Sequence, residues 1–335
     1  TGIRVDGNRG NITGLGASTM RGIVAYQDSD LHNVQVDNCW VQDYENGSGF
    51  FTFAAGIRFV NCWSFGHEEH GFAQNYSTDF GDADKFVEFY NCTAHDCDGY
   101  GMDVNRGRTL VANANLYWNA QGGFKFADGT EYLSVEGMRC GYNLGLGFTE
   151  TDTIGTGKIF ISGLVTHSNG NLGFSVRAAG SLVIGRLESY DNYCRSGASR
   201  SGFGYTGGTP LSCDVLLGDG SSGTLNNFTA DFISSRNSAA GGILVDGQTM
   251  SYVIGRVEAE YAETYGFADF STGPGHGVVN GGIMRGNNQG ATAASAGAAA
   301  FQCLRSGSLK VNGVIFEDDQ GSPTQNSGMY IASAC

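Results

Sequence analysis

Short runs of alternating apolar and polar residues fill this chain, and each begins just after a glycine. Gly-Phe-Ser-Val-Arg at 173–177 and Gly-Ile-Leu-Val-Asp at 242–246 show the pattern. Alternation of period two, rich in aromatic and β-branched residues, predicts a strand. A second strand is predicted after a few polar residues: Leu31 to Trp40, Ile57 to Trp63, Phe86 to Thr93, Tyr132 to Met138, Lys158 to Val165 and Leu182 to Leu187. Segments such as Tyr190-Asp191-Asn192 then turn the chain back toward the next glycine. Asn, Asp, Ser and Gly suit such corners because they accept left-handed backbone conformations. No stretch carries an apolar stripe of helical period over three turns.

The unit repeats. Glycine precedes phenylalanine at Gly49, Gly71, Gly123, Gly147, Gly173, Gly202 and Gly266, and Gly22, Gly101, Gly242, Gly297 and Gly328 stand in the same phase. Most intervals are 22 to 31 residues, with a longer one from Gly202 to Gly242. A period in this range predicts a solenoid whose units bury their apolar faces against one another. The reading is all-β: a single-domain, right-handed parallel β-helix of about twelve coils over residues 1–335. Leucine-rich repeats lack their signature here, and propeller blades need about 40 residues each. The glycines are expected to supply backbone freedom at a corner. Alignment on them stacks Cys39, Cys62 and Cys92, each following an asparagine (Asn38, Asn61, Asn91). That column predicts reduced core thiols beside asparagine corners.

Composition narrows the partners. The net charge of -14 over 335 residues argues against nucleic acid as a general partner, since phosphate binding needs a basic footprint. It leaves room for an anionic polysaccharide in one locally basic groove. No apolar run reaches membrane length. Nine cysteines leave at least one unpaired, and Cys303 with Cys335 would clamp the last coil if bonded. Thr1 to Val5 already read as a strand, so the chain is expected to lack an N-terminal cap. No cofactor is predicted with certainty; calcium is the open metal, with Asp79, Asp82 and Asp84 as its clustered carboxylates.

A β-helix core is inert, so chemistry must come from outward-facing residues. Counting from each glycine, the second residue points outward: Val24, Phe51, Ala73, Asp103, Lys125, Thr149, Ser175. The fourth does likewise: Tyr26, Phe53, Asn75, Asn105, Ala127, Thr151, Arg177. Asp103 and Lys125 are then one coil apart, roughly 4.8 Å. Arg106 and Arg108 are expected to leave the same strand, with Arg177 further along and Tyr100, His95 and Asp128 at the margins. The cluster reads either as a catalytic patch or as a solvated ion-pair ladder. His67-Glu68-Glu69-His70 lies at a corner, not on a helix, so it reads as a groove wall rather than a zinc site.

Gly99-Tyr100-Gly101-Met102-Asp103-Val104-Asn105 resembles the Tyr-Gly-Phe-Asp-Pro-His motif of mannuronan C5-epimerase modules, within the pectate-lyase-like β-helix superfamily. Val5-Asp6-Gly7-Asn8-Arg9 is similar to the Leu-Asp-Gly-Asn-Arg segment of those modules, and Thr93-Ala94-His95-Asp96 to a Val-Ala-His-Asp corner. Asn105 replaces the motif histidine and Val104 its proline, and Ala127 takes the place of the next coil's aspartate. The resemblance implies Tyr100 and Asp103 as residues that perform or support C5-proton abstraction beside a uronate carboxyl.

The leading expectation is a lyase or epimerase acting on an acidic polysaccharide, extracellular or on a cell or virion surface. Lys125 or Tyr100 would be the base, Arg106 or Arg177 the carboxylate neutraliser and Asp103 the orienter. Arg108, Asp128, His95, His67 and His70 would contact substrate. A glycoside hydrolase or tailspike depolymerase would instead pair Asp103 with Asp128, Glu150 or Asp152. A non-catalytic adhesive solenoid would use Tyr26, Phe51 and Phe53 for stacking or subunit contact. The first alternative implies a homotrimer if tailspike-like, the lyase a monomer; neither nucleic acid nor membrane is an expected partner.

Overall fold

The computed structural model describes residues 4–6, 22–25, 34–44, 47–53, 55–75, 86–127, 129–151, 157–177, 179–192, 213–218, 225, 227–246, 251–271, 275–287, 299–303, 305, 307–318 and 327–331. All regular structure among them is β-strand, in a sheet of twelve strands and a sheet of twenty. Each coil gives one strand to the smaller sheet and, in most coils, two to the larger. Val87–Tyr90 and Thr93–His95 are such a pair, separated by a corner at Asn91. Further along, the two merge into continuous strands, Ser181–Tyr190, Asn227–Arg236 and Ser251–Glu260. Successive coils pair in parallel and in register. The fold is the right-handed parallel β-helix, with the hand that parallel crossovers take.

Identical register stacks like on like. Phe124, Phe148 and Phe174 stack at 4.9 and 5.3 Å, and Phe50 on Phe72 at 4.8 Å, all fully buried. Offset stacking adds to their area burial. Cys39, Cys62 and Cys92 form the expected buried column, and Asn38, Asn61 and Asn91 take left-handed corners at φ 50 to 52°. Cys303 is buried as well, while Cys335 lies outside the described residues.

The glycine column has a different cause from the one expected. Gly71 and Gly173 do not have positive φ. What they lack is space: a Cβ on Gly71 would come within 2.4 Å of the Ala94 Cβ, and one on Gly173 within 2.0 Å of Ser189 Oγ. Two members of the column also need correction. Val215 is in register with Phe174 and Ile243, so Asp214 takes the glycine's place, and Gly202 lies outside the described residues. Phe301 pairs with Phe267 and Met329, so Ala300 replaces the expected Gly297, also outside them.

Asp214 closes a buried amide ladder. Asn119 Nδ2 donates to Asn143 Oδ1 at 3.1 Å, Asn143 to Asn169 at 2.9 Å, Asn169 to Asn192 at 2.9 Å, and Asn192 to Asp214 Oδ1 at 2.9 Å. Each amide also donates to a backbone carbonyl (Ala94, Leu116, Cys140, Thr166). Ser189 and Ser235 hydroxyls donate to the carboxylate at 2.8 Å each. Buried polar groups survive inside a fold when satisfied in this way. The ladder runs along the corner that delivers the chain into the smaller sheet, and so holds the strands that carry the site.

Candidate functional site

Parallel, in-register pairing places the same position of successive coils side by side. On the outer face of the smaller sheet this gives Ala73, Asp103, Lys125, Thr149 and Ser175 in one row, as the repeat predicts. Lys125 Nζ lies 3.3 Å from Asp103 Oδ1 and 3.4 Å from Oδ2. Ala73, on the other flank of Asp103, leaves the carboxylate open to a group from the preceding coil. That group is His70, whose Nε2 stands 3.1 Å from Asp103 Oδ2.

Two glycines outside the main column make this arrangement fit. A Cβ on Gly99 would meet His70 Nδ1 at 2.5 Å. With glycine there, the next residue, Tyr100, brings its backbone N–H to His70 Nδ1 at 3.0 Å. A Cβ on Gly122 would come within 2.9 Å of the Tyr100 ring. Its absence lets that ring lie over the next coil, with its centroid 5.7 Å from Lys125 Nζ. The sequence signal for both was present as Gly99-Tyr100-Gly101 and Gly122-Gly123, where the repeat alone needs one glycine.

The site is thus His70, Tyr100, Asp103 and Lys125. With Nδ1 accepting from the backbone, the His70 proton sits on Nε2 and is donated to Asp103. Burial lowers the pKa of His70, against the opposing pull of Asp103, so the ring is neutral. Asp103 keeps 6 % of its side chain exposed; Lys125 and His70 keep 20 % and 21 %. The accessible rim is therefore an ammonium and an imidazole edge, with the carboxylate behind them. Such a rim can receive an anionic group and hold it beside a phenol.

The other expected residues are placed elsewhere. Arg106 and Arg108 do not share the Asp103 strand, which ends at Val104. Arg106 is exposed in the following turn. Arg108 belongs to Gly107–Ala112 of the other sheet, 3.6 Å from Glu131 and over the Phe86 ring. His95 also lies on the larger sheet, stacked between Phe65 and Tyr117 and bonded to Asp96 at 2.6 Å. His67 is fully buried, accepting from Tyr44 N–H at Nδ1 and meeting Ser64 Oγ at 3.0 Å. Arg177 follows the strand Phe174–Val176, two coils beyond Lys125, on the same sheet. Asp128, Asp152, Tyr26 and the Asp79, Asp82, Asp84 group lie outside the described residues.

Two expectations for the alternatives change. Glu150 points into the helix, fully buried, and accepts the Arg177 backbone N–H at 2.8 Å, so it does not face Asp103. Phe51, expected as an exposed aromatic, is buried against Phe53. Outward is not the same as solvated on this sheet: Leu172, Leu216, Leu244, Tyr265 and Ala268 form a second apolar cluster along its later coils. Among the described residues no three His, Cys, Asp or Glu side chains converge on a metal position, and no helix is long and apolar enough to cross a membrane.

Residues 1–139, which include His70, Tyr100, Asp103 and Lys125, match the family model of a right-handed β-helix region. The chain matches no curated protein and no solved structure. The similarity therefore reaches the first two-fifths of the chain and concerns its architecture.

Proposed function

We propose that this protein acts on an acidic, uronate-containing polysaccharide by removing the C5 proton, as a lyase or an epimerase. The observation that carries the reading is the convergence of Lys125, Asp103, His70 and Tyr100 on the outer face of one sheet. The local resemblance of residues 99–105 to the epimerase motif points the same way.

The geometry favours particular roles. Lys125 is committed to Asp103 as an ammonium, which suits it to neutralise the substrate carboxylate rather than to act as the base. Tyr100 is then the base, its ring centroid 5.7 Å from the ammonium. The C5–H proton goes to the phenolate oxygen, and the C–H electron pair is delocalised into the carboxyl group, where Lys125 opposes the added charge. In a lyase this pair forms the C4–C5 double bond as the C4–O bond breaks, and the phenol returns its proton to the leaving oxygen. In an epimerase a proton is returned to C5 from the opposite face. Asp103 and His70 touch no reacting atom and are positioning residues. Arg177, just past the strand Phe174–Val176, is a further cation two coils beyond Lys125. A polymer substrate of this kind places the protein outside the cell or on a cell or virion surface.

The test is absorbance near 235 nm with alginate, polygalacturonate, hyaluronan and gellan, with and without calcium. A rise that Tyr100→Phe abolishes supports the lyase form. No rise, together with no C5–H exchange on any polymer, removes the proposal.

A further inference from the structure

On the far side of the coil from Lys125, the corner between the two strand rows of the larger sheet carries a feature the fold does not require. Trp40 and Trp63 occupy successive outward positions in register. Their rings stack at 4.7 Å and remain 38 % and 43 % exposed. Large exposed apolar rings of this kind mark interaction sites.

They form one wall of a groove of about 390 Å³ whose other lining residues are Asn38, Asn61 and Asn91. Asparagine at these corners is accounted for by the left-handed backbone. The indoles have no such account, because their column faces away from the core.

The chemistry of the lining is specific. It offers the exposed edges and outer faces of two indoles stacked on one another and three amides, and none of these five residues is charged. The amides run in file: Asn91 Nδ2 donates to Asn61 Oδ1 at 3.2 Å, and Asn61 Nδ2 to Asp37 Oδ1 at 3.4 Å. Each terminal amide has two N–H groups and two lone pairs, so donors and acceptors remain for a ligand beside the indoles. Beyond Trp63 the same column continues with Thr93 and Asn115, again polar and uncharged. A second groove of about 390 Å³ follows along the corner, lined by Asn113, Asn115 and Arg139 among others. Aromatic faces with flanking amides suit a sugar ring, whose C–H face is apolar and whose edge bears hydroxyls. From Trp40 to Asn115 the strip crosses three inter-strand steps of about 4.8 Å, which gives roughly 14 Å parallel to the solenoid axis.

We propose that Trp40 and Trp63, with Asn38, Asn61 and Asn91, form a binding groove for a linear polysaccharide chain lying along the solenoid axis. The site is separate from the His70–Asp103–Lys125 cluster and does not depend on catalysis there. None of the described residues lining the Trp40–Trp63 groove is ionised, so recognition there rests on stacking and hydroxyl contacts.

The test uses the full chain and hexasaccharides of mannose, glucose, xylose, mannuronate and galacturonate, read by tryptophan emission. Trp118→Phe removes the emission of the third tryptophan and leaves only the Trp40–Trp63 pair. At least one hexamer should bind, and at least tenfold more weakly to Trp63→Ala. Asn61→Gly, which tolerates the corner φ, should weaken binding severalfold. Failure of the catalytic reading is seen at 235 nm and failure of this one in the tryptophan emission, so the two are separable. No binding by any hexamer, or unchanged binding in Trp63→Ala with an unaltered melting curve, overturns the proposal. A parent dimer that Trp63→Ala converts to monomer would instead make this face a contact between copies, which also overturns it.

Discussion

His70 accepts the Tyr100 backbone N–H at Nδ1, 3.0 Å away, and directs Nε2 at Asp103 Oδ2, 3.1 Å away. One histidine thereby ties the backbone of the phenol's own strand to the carboxylate that holds Lys125. Its ring is neutral in this role, so the cationic charge at the rim belongs to Lys125.

Burial lowers the His70 pKa below its ordinary value of 6.5. A depressed histidine contributes stability that is present above the unfolded-state pKa and lost as pH falls below it. The His70 contribution to the melting temperature should therefore fall between pH 7 and 5, against the opposite contribution of Asp214. His70→Gln, which keeps a donor toward Asp103 but cannot titrate, should lack that contribution. Burial also lowers the His167 pKa, so part of the slope should survive in that variant. Identical slopes in parent and variant would remove His70 from this account.

Asp214 titrates in the opposite sense. Burial raises its pKa to about 6, although the Ser189, Ser235 and Asn192 bonds pull it down. A raised carboxylate contributes stability that is full below its ordinary value of 3.8 and lost as pH rises through about 6. Asp214→Asn removes that loss and keeps an oxygen for the ladder. At pH 8 it should be more stable than the parent by an amount of order 3 kcal/mol. Near pH 4 the two should converge, as read by denaturant melts.

Inside the ladder the reverse holds. Asn143 accepts the Asn119 amide, donates to Asn169 Oδ1 and donates to the Leu116 carbonyl. Asn143→Leu leaves buried partners on both sides unsatisfied and should cost about 3 kcal/mol or more, since each orphaned group costs about 1–3 kcal/mol. Asn143→Asp, which keeps the acceptor but loses two donors, should also destabilise.

The thiols of Cys39, Cys62, Cys92, Cys97, Cys140 and Cys213 are free and buried. Burial raises the Cys97 pKa to about 12, and pushes those of Cys140 and Cys213 upward as well. Thiolates are the reactive form, and although the hydrogen bond with Cys92 lowers the Cys62 pKa, burial keeps reagent from all six, so they should label only after unfolding. Rapid labelling of any of them in the native protein, located by peptide mapping, would contradict the packing described.

The architecture was legible because a parallel solenoid repeats one position per coil. A glycine phase was enough to place Asp103 beside Lys125. What the phase could not show was exposure. Phe51 and Thr149 face outward yet are buried, because an outer sheet face need not be a wet one. Arg106 falls just past the Asp103 strand and Arg108 on the other sheet, because nothing in Asn-Arg-Gly-Arg marks the strand's end at Val104. The sequence places His70 at a corner as a substrate contact, with no link to Asp103. Its partnership with Asp103 depends on the coil offset between them and on Gly99, a glycine outside the main phase. Asp214 was missed because it fills a glycine position, and it does so only where Ser189 and Ser235 supply hydroxyls.

The central claim is that Tyr100 removes a C5 proton under the charge of Lys125. It is tested most directly by incubating mannuronate, guluronate and galacturonate polymers with the protein in D2O and reading deuterium at C5 by NMR. The account predicts solvent deuterium at C5, or an unsaturated product, with at least one polymer. It predicts a loss of about 100-fold or more in both Tyr100→Phe and Lys125→Ala, the scale of a lost general base or charge stabiliser. Polymers that stay protonated and intact with the parent, or turnover that survives both substitutions, would contradict it.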